Sequence, residues 1–227
     1  MVGAGAVIAG GIILDGIFGS FFAKKEQDKF NAIALEQLPA TWQLLITLRI
    51  LPPKSSLIMD QERIIRQLAG NAPVFQSLLE GIPKEQYLWK PSPEKWCLLE
   101  VLCHLYDEER EDFRTRVRHV MEHPGTAPPS IDPAGWVIKR DYIGQNYEQK
   151  LDAFLEERTL SIQWLDSLEN APWQNAFPHG HFGPMSADYF LRNWLAHDYL
   201  HFRQIVRLKH QYLRSHTPQG LDYAGEW

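Results

Sequence analysis

The pattern of apolar and polar positions predicts four long helices in the second part of the chain. In each of them, apolar residues recur three or four positions apart, which places them on one face of an α-helix. No run of alternating apolar and polar residues is long enough to predict a strand in its own right. The fold class is therefore all-α, a four-helix bundle. The predicted helices cover residues 60–79, 97–119, 147–168 and 187–212.

Prolines, glycines and capping residues mark where these helices begin and end. Residues 123–136 are a proline-rich connection, and residues 171–185 are predicted to form a loop or a short hairpin. Ser186 is the predicted cap of the fourth helix. Glu100 stands three residues after Cys97, where a capping box carries its acid, although cysteine is a poor substitute for serine or threonine as the cap.

The first 58 residues differ in composition from the rest. Residues 2–23 are apolar and glycine-rich, but Asp15 lies near their middle, where insertion into a membrane costs roughly 2.5–3.5 kcal/mol. Three interpretations stay open: a marginal membrane anchor, a packed or disordered extension, and sequence upstream of the natural start; we favour the last two. The domain prediction is an extension over residues 1–58 and a helical bundle over residues 59–227.

Charge and cysteine content restrict the partners and the compartment. A net charge of −5 without a run of basic residues argues against nucleic acid, so a small-molecule substrate is expected. Cys97 and Cys103 lie six positions apart on one predicted helix, about 9 Å of rise, which is too far for a disulfide. This fits a reducing compartment. We expect a cytoplasmic protein, with attachment to a membrane through residues 2–23 as the alternative.

Two histidines, His197 and His201, occupy positions in the apolar face of the fourth helix. They stand four residues apart and so share that face. An imidazole that faces a core loses water and needs partners for its ring nitrogens, and a divalent metal bound by both rings is one solution. The same face also carries Phe190, Trp194, Ile205 and Leu208.

A third ligand would come from the second helix, where His104 is the best candidate. Three neutral imidazoles leave coordination positions open, as a catalytic rather than a structural metal site requires. The simpler interpretation of His104 is a half-buried histidine bonded to a backbone carbonyl. Glu108, one turn later, is either a solvated helix residue or a group that orients a ligand ring or acts as a base.

Other polar and aromatic residues are weaker candidates. His179 and His181 are loop residues, but a loop that closes over the bundle would bring either of them to the substrate. Trp194 is most simply a core residue, with a place in the substrate-binding wall as the alternative. Asp107 and Asp198 are predicted to be surface carboxylates.

Two segments carry a resemblance to a known family. The segments PSPEKWCLLEVLCHLYDEE (residues 91–109) and FGPMSADYFLRNWLAHDYLHFRQI (residues 182–205) resemble the DinB-like bundles, a damage-inducible group that includes YfiT-type metal hydrolases and thiol S-transferases. The corresponding histidines of that family bind a divalent metal. The resemblance therefore implies His104, His197 and His201 as ligands of nickel or zinc, with iron or manganese as alternatives. The first 58 residues have no counterpart in the family.

The leading hypothesis is a metalloenzyme in which the ion activates water or a thiol, so that the protein is a hydrolase or a thiol S-transferase. A second hypothesis is a non-catalytic metal-binding or interaction module, a homodimer that associates through an aromatic face of the bundle. A third is an inert bundle whose histidines are ordinary buried polar groups.

Overall fold

The computed structural model describes residues 59–225. The predictions for residues 1–58, including an anchor or extension at residues 2–23, concern residues outside this range. The helices are α1 (Gln61–Leu79), α2 (Lys84–Tyr87), α3 (Leu98–Asp107), α4 (Arg114–Glu122), α5 (Pro133–Lys139), α6 (Tyr147–Asp166) and α7 (Ala187–Ser215). A π-helical stretch, Glu108–Phe113, joins α3 to α4 and is called the π segment below. Short 3₁₀ turns cover Tyr142–Gly144 and Asp222–Ala224, and two strands, β1 (Ala176–His179) and β2 (Gly183–Ser186), form an antiparallel hairpin.

The predicted four-helix bundle is confirmed. Its helices are α1, the continuous run of α3, π segment and α4, then α6 and α7; α1 packs against α6 and α7, and α3 packs against α6. Ser186 caps α7 as predicted, because its hydroxyl accepts a hydrogen bond from the Tyr189 N–H at 3.0 Å. Glu100 also acts as predicted and accepts a hydrogen bond from the Cys97 N–H at 2.8 Å.

Two connections contain more regular structure than a loop. The proline-rich connection holds α5, which Asp132 caps by accepting a hydrogen bond from the Gly135 N–H at 3.0 Å, and Trp136 on this helix is buried. Residues 171–185, predicted to form a loop or a short hairpin, contain a hairpin. Phe177 lies opposite Met185 in it, and both side chains are in the core. Burial of Trp136, Phe177 and Met185 stabilises α5 and the hairpin. Both elements are too short to show a clear periodicity in the sequence.

A layer of buried polar residues lies between two apolar clusters in the described part of the bundle. One cluster includes Phe75, Leu102 and Ile205, and the other includes Leu68, Val117 and Leu191. Along each long helix, the polar residues fall between the positions that belong to the two clusters. They are Asn71 on α1, Glu108 and Glu109 in the π segment, Arg158 and Ser161 on α6, and Asp198 and His201 on α7.

No helix within residues 59–225 combines the length and apolar character that a membrane crossing requires.

Both cysteines are unpaired and buried, which confirms that they form no disulfide with each other. Burial raises the pKa of Cys97 to about 11 and that of Cys103 to about 12. Because the thiolate is the reactive form, we expect an aromatic disulfide reagent at pH 8 to label the native protein about a hundredfold more slowly than the protein unfolded in guanidinium. Rapid labelling of either thiol in the native protein would contradict this burial.

Candidate metal centre

The structure brings His104, His197 and His201 together. His104 lies on α3, and the other two lie one turn apart on α7. One ring nitrogen from each histidine can be chosen so that all three lie within 4.8 Å of one another. The Nε2 atoms of His197 and His201 are 3.0 Å apart, and the His104 ring centroid is 5.4 Å and 4.9 Å from theirs. The three donors therefore surround a position that one ion could occupy.

Burial and hydrogen bonding at this position fit a metal ion. His104 and His201 are only 8% and 7% exposed, and His197 is half-buried. The Nδ1 atoms of His104 and His201 are buried without a hydrogen-bond partner among the residues that the structure describes. Such atoms are costly in a folded protein unless a ligand, an ion or water satisfies them. Three imidazole nitrogens are also a donor set that zinc and nickel accept.

The protonation of the three imidazoles also suits a cation. Burial, reinforced by the His201 ring, lowers the pKa of His104 to about 3. Burial likewise lowers the pKa of His201 to about 4 and that of His197 well below its ordinary value. At pH 7 all three rings are therefore neutral and have a lone pair to donate.

Glu108 lies beside the histidines, and its interpretation as a solvated residue is wrong. Its carboxyl group is buried, and Oε1 is 3.8 Å from Nδ1 of His104. Oε1 is another buried atom that has no hydrogen-bond partner within the described chain. Burial, together with the nearby Asp112, raises the pKa of Glu108. The group is thus close enough to the centre to orient a ligand ring or to hold a proton there.

The π segment begins at Glu108, directly after α3. Asp107, Glu108 and Glu109 are all buried, but so are the residues from Leu98 to Leu105 in the preceding α-helix, because several elements pack around this part of the chain. Glu108 lies near His104 because the two residues are four positions apart. Such π turns are frequent at functional sites, but neither capping residues nor periodicity predicts this one.

Arg158 forms a buried ion-pair network behind the centre. Its Nε and Nη2 donate to the two carboxylate oxygens of Glu109 at 2.9 Å each. Nη1 and Nη2 donate to Asp198 at 2.7 Å and 2.8 Å, and Nη1 also donates to the Leu68 carbonyl at 3.1 Å. All five donors of the guanidinium are used. Burial lowers the pKa of Arg158, but the two carboxylates outweigh it and the net shift is upward.

Two further donors complete this network. Trp194 donates from Nε1 to Glu109 at 3.0 Å, and Asn71 donates from Nδ2 to Asp198 at 2.8 Å. Asp198 directly precedes Tyr199 and follows His197 in α7, while Glu109 follows Glu108 in the π segment. The network therefore holds both elements that carry the candidate site in a defined rotation.

The prediction that Asp107 and Asp198 are surface carboxylates is wrong. Asp198 is fully buried by its pairing with Arg158, and Asp107 accepts hydrogen bonds from the Tyr142 hydroxyl at 2.6 Å and from Arg140 at 2.9 Å. Each carboxylate is buried because a cationic partner from another helix or loop compensates its lost hydration. The partners are at least 33 residues away in sequence, and charge patterning within one helix does not reveal them.

The structure does not place the hairpin histidines with the other three. Nδ1 of His179 accepts hydrogen bonds from the backbone N–H groups of His181 and Phe182, which closes the turn of the hairpin. Neither is part of a potential ligand group in the described chain. Their contact with substrate stays a prediction. Trp194 is 1% exposed and lies in the core, which is the simpler of its two interpretations.

Aromatic residues that were not among the site candidates enclose the centre. The Trp96 ring centroid is 5.0 Å from that of His104, and the Phe113 centroid is 4.9 Å from that of His197. Each ring packs against an imidazole and covers part of its surface. Trp96 precedes Cys97, the residue that caps α3, in the segment that carries the family resemblance. Its position in that segment is the sequence feature that could have identified it.

Three imidazoles that meet inside a four-helix bundle define the class of protein: an all-α bundle with a candidate metal centre. The sequence profile of the DinB superfamily matches residues 67–205, and the chain belongs to this superfamily.

Two known proteins are similar to this chain, one in sequence and one in fold. The uncharacterized protein YuaE of Bacillus subtilis (strain 168) is 25% identical over 160 residues, which cover 60% of this chain and 91% of YuaE. The fold is similar to that of YfiT from Bacillus subtilis, which is described as a probable metal-dependent hydrolase with an unusual four-helix bundle topology. The TM-score is 0.60 at 16% identity, and the match covers 72% of this chain and 91% of YfiT.

Proposed function

We propose that this protein is a metal-dependent enzyme whose divalent ion is held by His104, His197 and His201. The observation that carries the proposal is the convergence of three imidazoles, two of them buried and one half-buried, with one ring nitrogen of each within 4.8 Å of the others. Nickel and zinc are the ions we expect first, with iron and manganese as alternatives. When bound, the ion would supply a Lewis acid that lowers the pKa of water or of a thiol.

Hydrolysis is the reaction that we propose, with a small molecule as the substrate. The description of the structurally similar YfiT as a probable metal-dependent hydrolase supports it, as does a donor set of three imidazoles, which leaves coordination positions for water and substrate. Thiol S-transfer, which the family resemblance implies, remains the alternative, and the experiment below tests it directly.

The surrounding residues have separate parts in this proposal. Glu108 is placed to hold a proton at Oε1, 3.8 Å from His104 Nδ1, and to release it beside the reacting group. Trp96 and Phe113 pack against the imidazoles of His104 and His197 and form part of the wall around the centre. Arg158 acts as a positioning residue, since it fixes Asp198 next to His197 on α7.

The test combines metal analysis with two activity assays on the full chain without a metal-binding tag. We expect about one nickel, zinc, iron or manganese ion per chain in the wild type and none after replacing His104, His197 and His201 with alanine. The loaded protein should hydrolyse members of a panel of esters, amides and phosphoesters, and Glu108→Gln should lower the rate while metal content stays the same.

A parallel assay follows the conjugation of low-molecular-weight thiols to a chromogenic electrophile. Metal-dependent product in this assay alone would replace hydrolysis by thiol transfer. A full metal complement without either activity would instead favour the non-catalytic metal-binding module, and absence of metal would favour the inert bundle.

A further inference from the structure

A cavity of about 270 Å³ has two lining residues that contact His104 or His201. It opens between the loop that precedes α3 and the second half of α7, and its lining includes Lys95, Trp96, Gln204, Arg207 and Leu208. The volume is slightly below the range of pockets that enclose a drug-sized ligand, so it suits a small molecule or one end of a larger one.

Two lining residues connect the cavity to the histidines. Trp96 lines the cavity and also packs against His104, with 5.0 Å between ring centroids. Gln204 lies one helical turn after His201, and its side chain interacts with that imidazole. The cavity therefore adjoins two of the three histidines through these side chains.

The cavity is positively charged, although the chain as a whole has a net charge of −5. Among the described residues that line it, Lys95 and Arg207 are the only charged ones, and none is a carboxylate. Glu94, which precedes Lys95, accepts a hydrogen bond from the Ser92 hydroxyl at 2.5 Å, and the Lys95 charge helps to lower its pKa. Within the described part of the chain, neither Lys95 nor Arg207 forms an ion pair within 4.0 Å of an acid. Both cations are exposed and can reach a ligand, and Lys95 has the carboxylate of Glu94 beside it.

Carboxylate and phosphate groups are the ligands that this arrangement suits. A guanidinium presents a planar pair of N–H groups that matches either anion, and an ammonium adds a second charge. The apolar faces of Trp96 and Leu208 would contact the carbon skeleton next to the anion.

We propose that this cavity binds a carboxylate or phosphate group of the substrate, held by Lys95 and Arg207, while the substrate's reactive group reaches the three histidines. The substrate class is therefore a small organic anion. The identification of the anion as part of a substrate rests on the proposed function. Binding of the anion itself does not require metal.

The test follows the indole N–H resonance of Trp96 by NMR in the full chain, assigned by its disappearance in Trp96→Phe. Succinate and inorganic phosphate are the two anionic probes, and succinamide is the uncharged analogue of succinate. We expect at least one anion, but not succinamide, to shift the resonance saturably. The preferred probe distinguishes a carboxylate site from a phosphate site.

Variants locate the binding groups. Combined Lys95→Ala and Arg207→Ala should weaken anion binding at least tenfold, whereas Arg203→Ala, which removes an exposed arginine one turn earlier on α7, should leave it unchanged. Equal loss in the Arg203→Ala control, or no response to either anion in the wild type, would overturn the proposal.

Metal-free protein separates this proposal from the metal-dependent function. Anion binding that persists after chelation, and is lost in the Lys95/Arg207 variant, supports the cavity even if the protein proves not to be an enzyme. Binding that disappears on chelation but survives in the Lys95/Arg207 variant would show that the anion binds metal instead, and would overturn it.

Discussion

Replacing Arg158 with methionine is expected to lower the free energy of unfolding by about 3–5 kcal/mol. The guanidinium is 1% exposed and donates to both Glu109 and Asp198. Its loss leaves two buried carboxylates without their cation, and their desolvation is then uncompensated. Methionine has a similar length and no charge, so the effect reports mainly on the lost pairing. Urea unfolding followed by circular dichroism measures the change.

Two further variants make this prediction specific. Arg66→Met removes an exposed arginine that pairs with Glu62 at 3.4 Å on the surface of α1, and it should cost less than about 1 kcal/mol. Adding Glu109→Gln and Asp198→Asn to Arg158→Met should recover part of the loss, because neutral amides replace the unpaired charges. A loss from Arg158→Met no larger than that of Arg66→Met would contradict the network's role.

Zinc or nickel, at a thousandfold excess over its dissociation constant, should raise the free energy of unfolding by about 4 kcal/mol. The gain is expected because the three imidazoles converge only in the folded bundle, so the ion binds the native state in preference to the unfolded one. The gain should be absent in His201→Ala. In the wild type, chelation should return the free energy of unfolding to its metal-free value. Chemical unfolding with and without the ion measures it.

The chain offers a matched control for the histidine pair. His119 and His123 are also four residues apart, with ring centroids 5.1 Å apart at the end of α4. His119 is half-buried and His123 is exposed, and no third histidine lies with them in the described structure. Replacing both with alanine should leave the stabilisation by metal intact. Loss of the gain in this control, or its retention in His201→Ala, would show that the ion binds elsewhere.

The sequence alone predicted the four helices, the cap at Ser186 and the positions of the three histidines that the structure brings together. These features depend on local rules. Helical periodicity places apolar residues on one face, and His197 and His201 interrupt that face at a spacing of one turn. The segments around His104 and His201 resemble the same family, and this resemblance predicted that histidines on two different helices share one site. Periodicity by itself does not predict contacts between helices.

The tertiary structure alone determined the environment of those histidines. Nothing in the charge pattern of α6 distinguishes Arg158 from its solvated neighbours, because its partners Glu109 and Asp198 are 49 and 40 residues away. The burial of Glu108 beside His104, and the cavity between Lys95 and Arg207, likewise depend on packing between distant segments. Burial makes such pairings strong because the low-dielectric interior removes competing water, and only the folded chain specifies which groups are buried together.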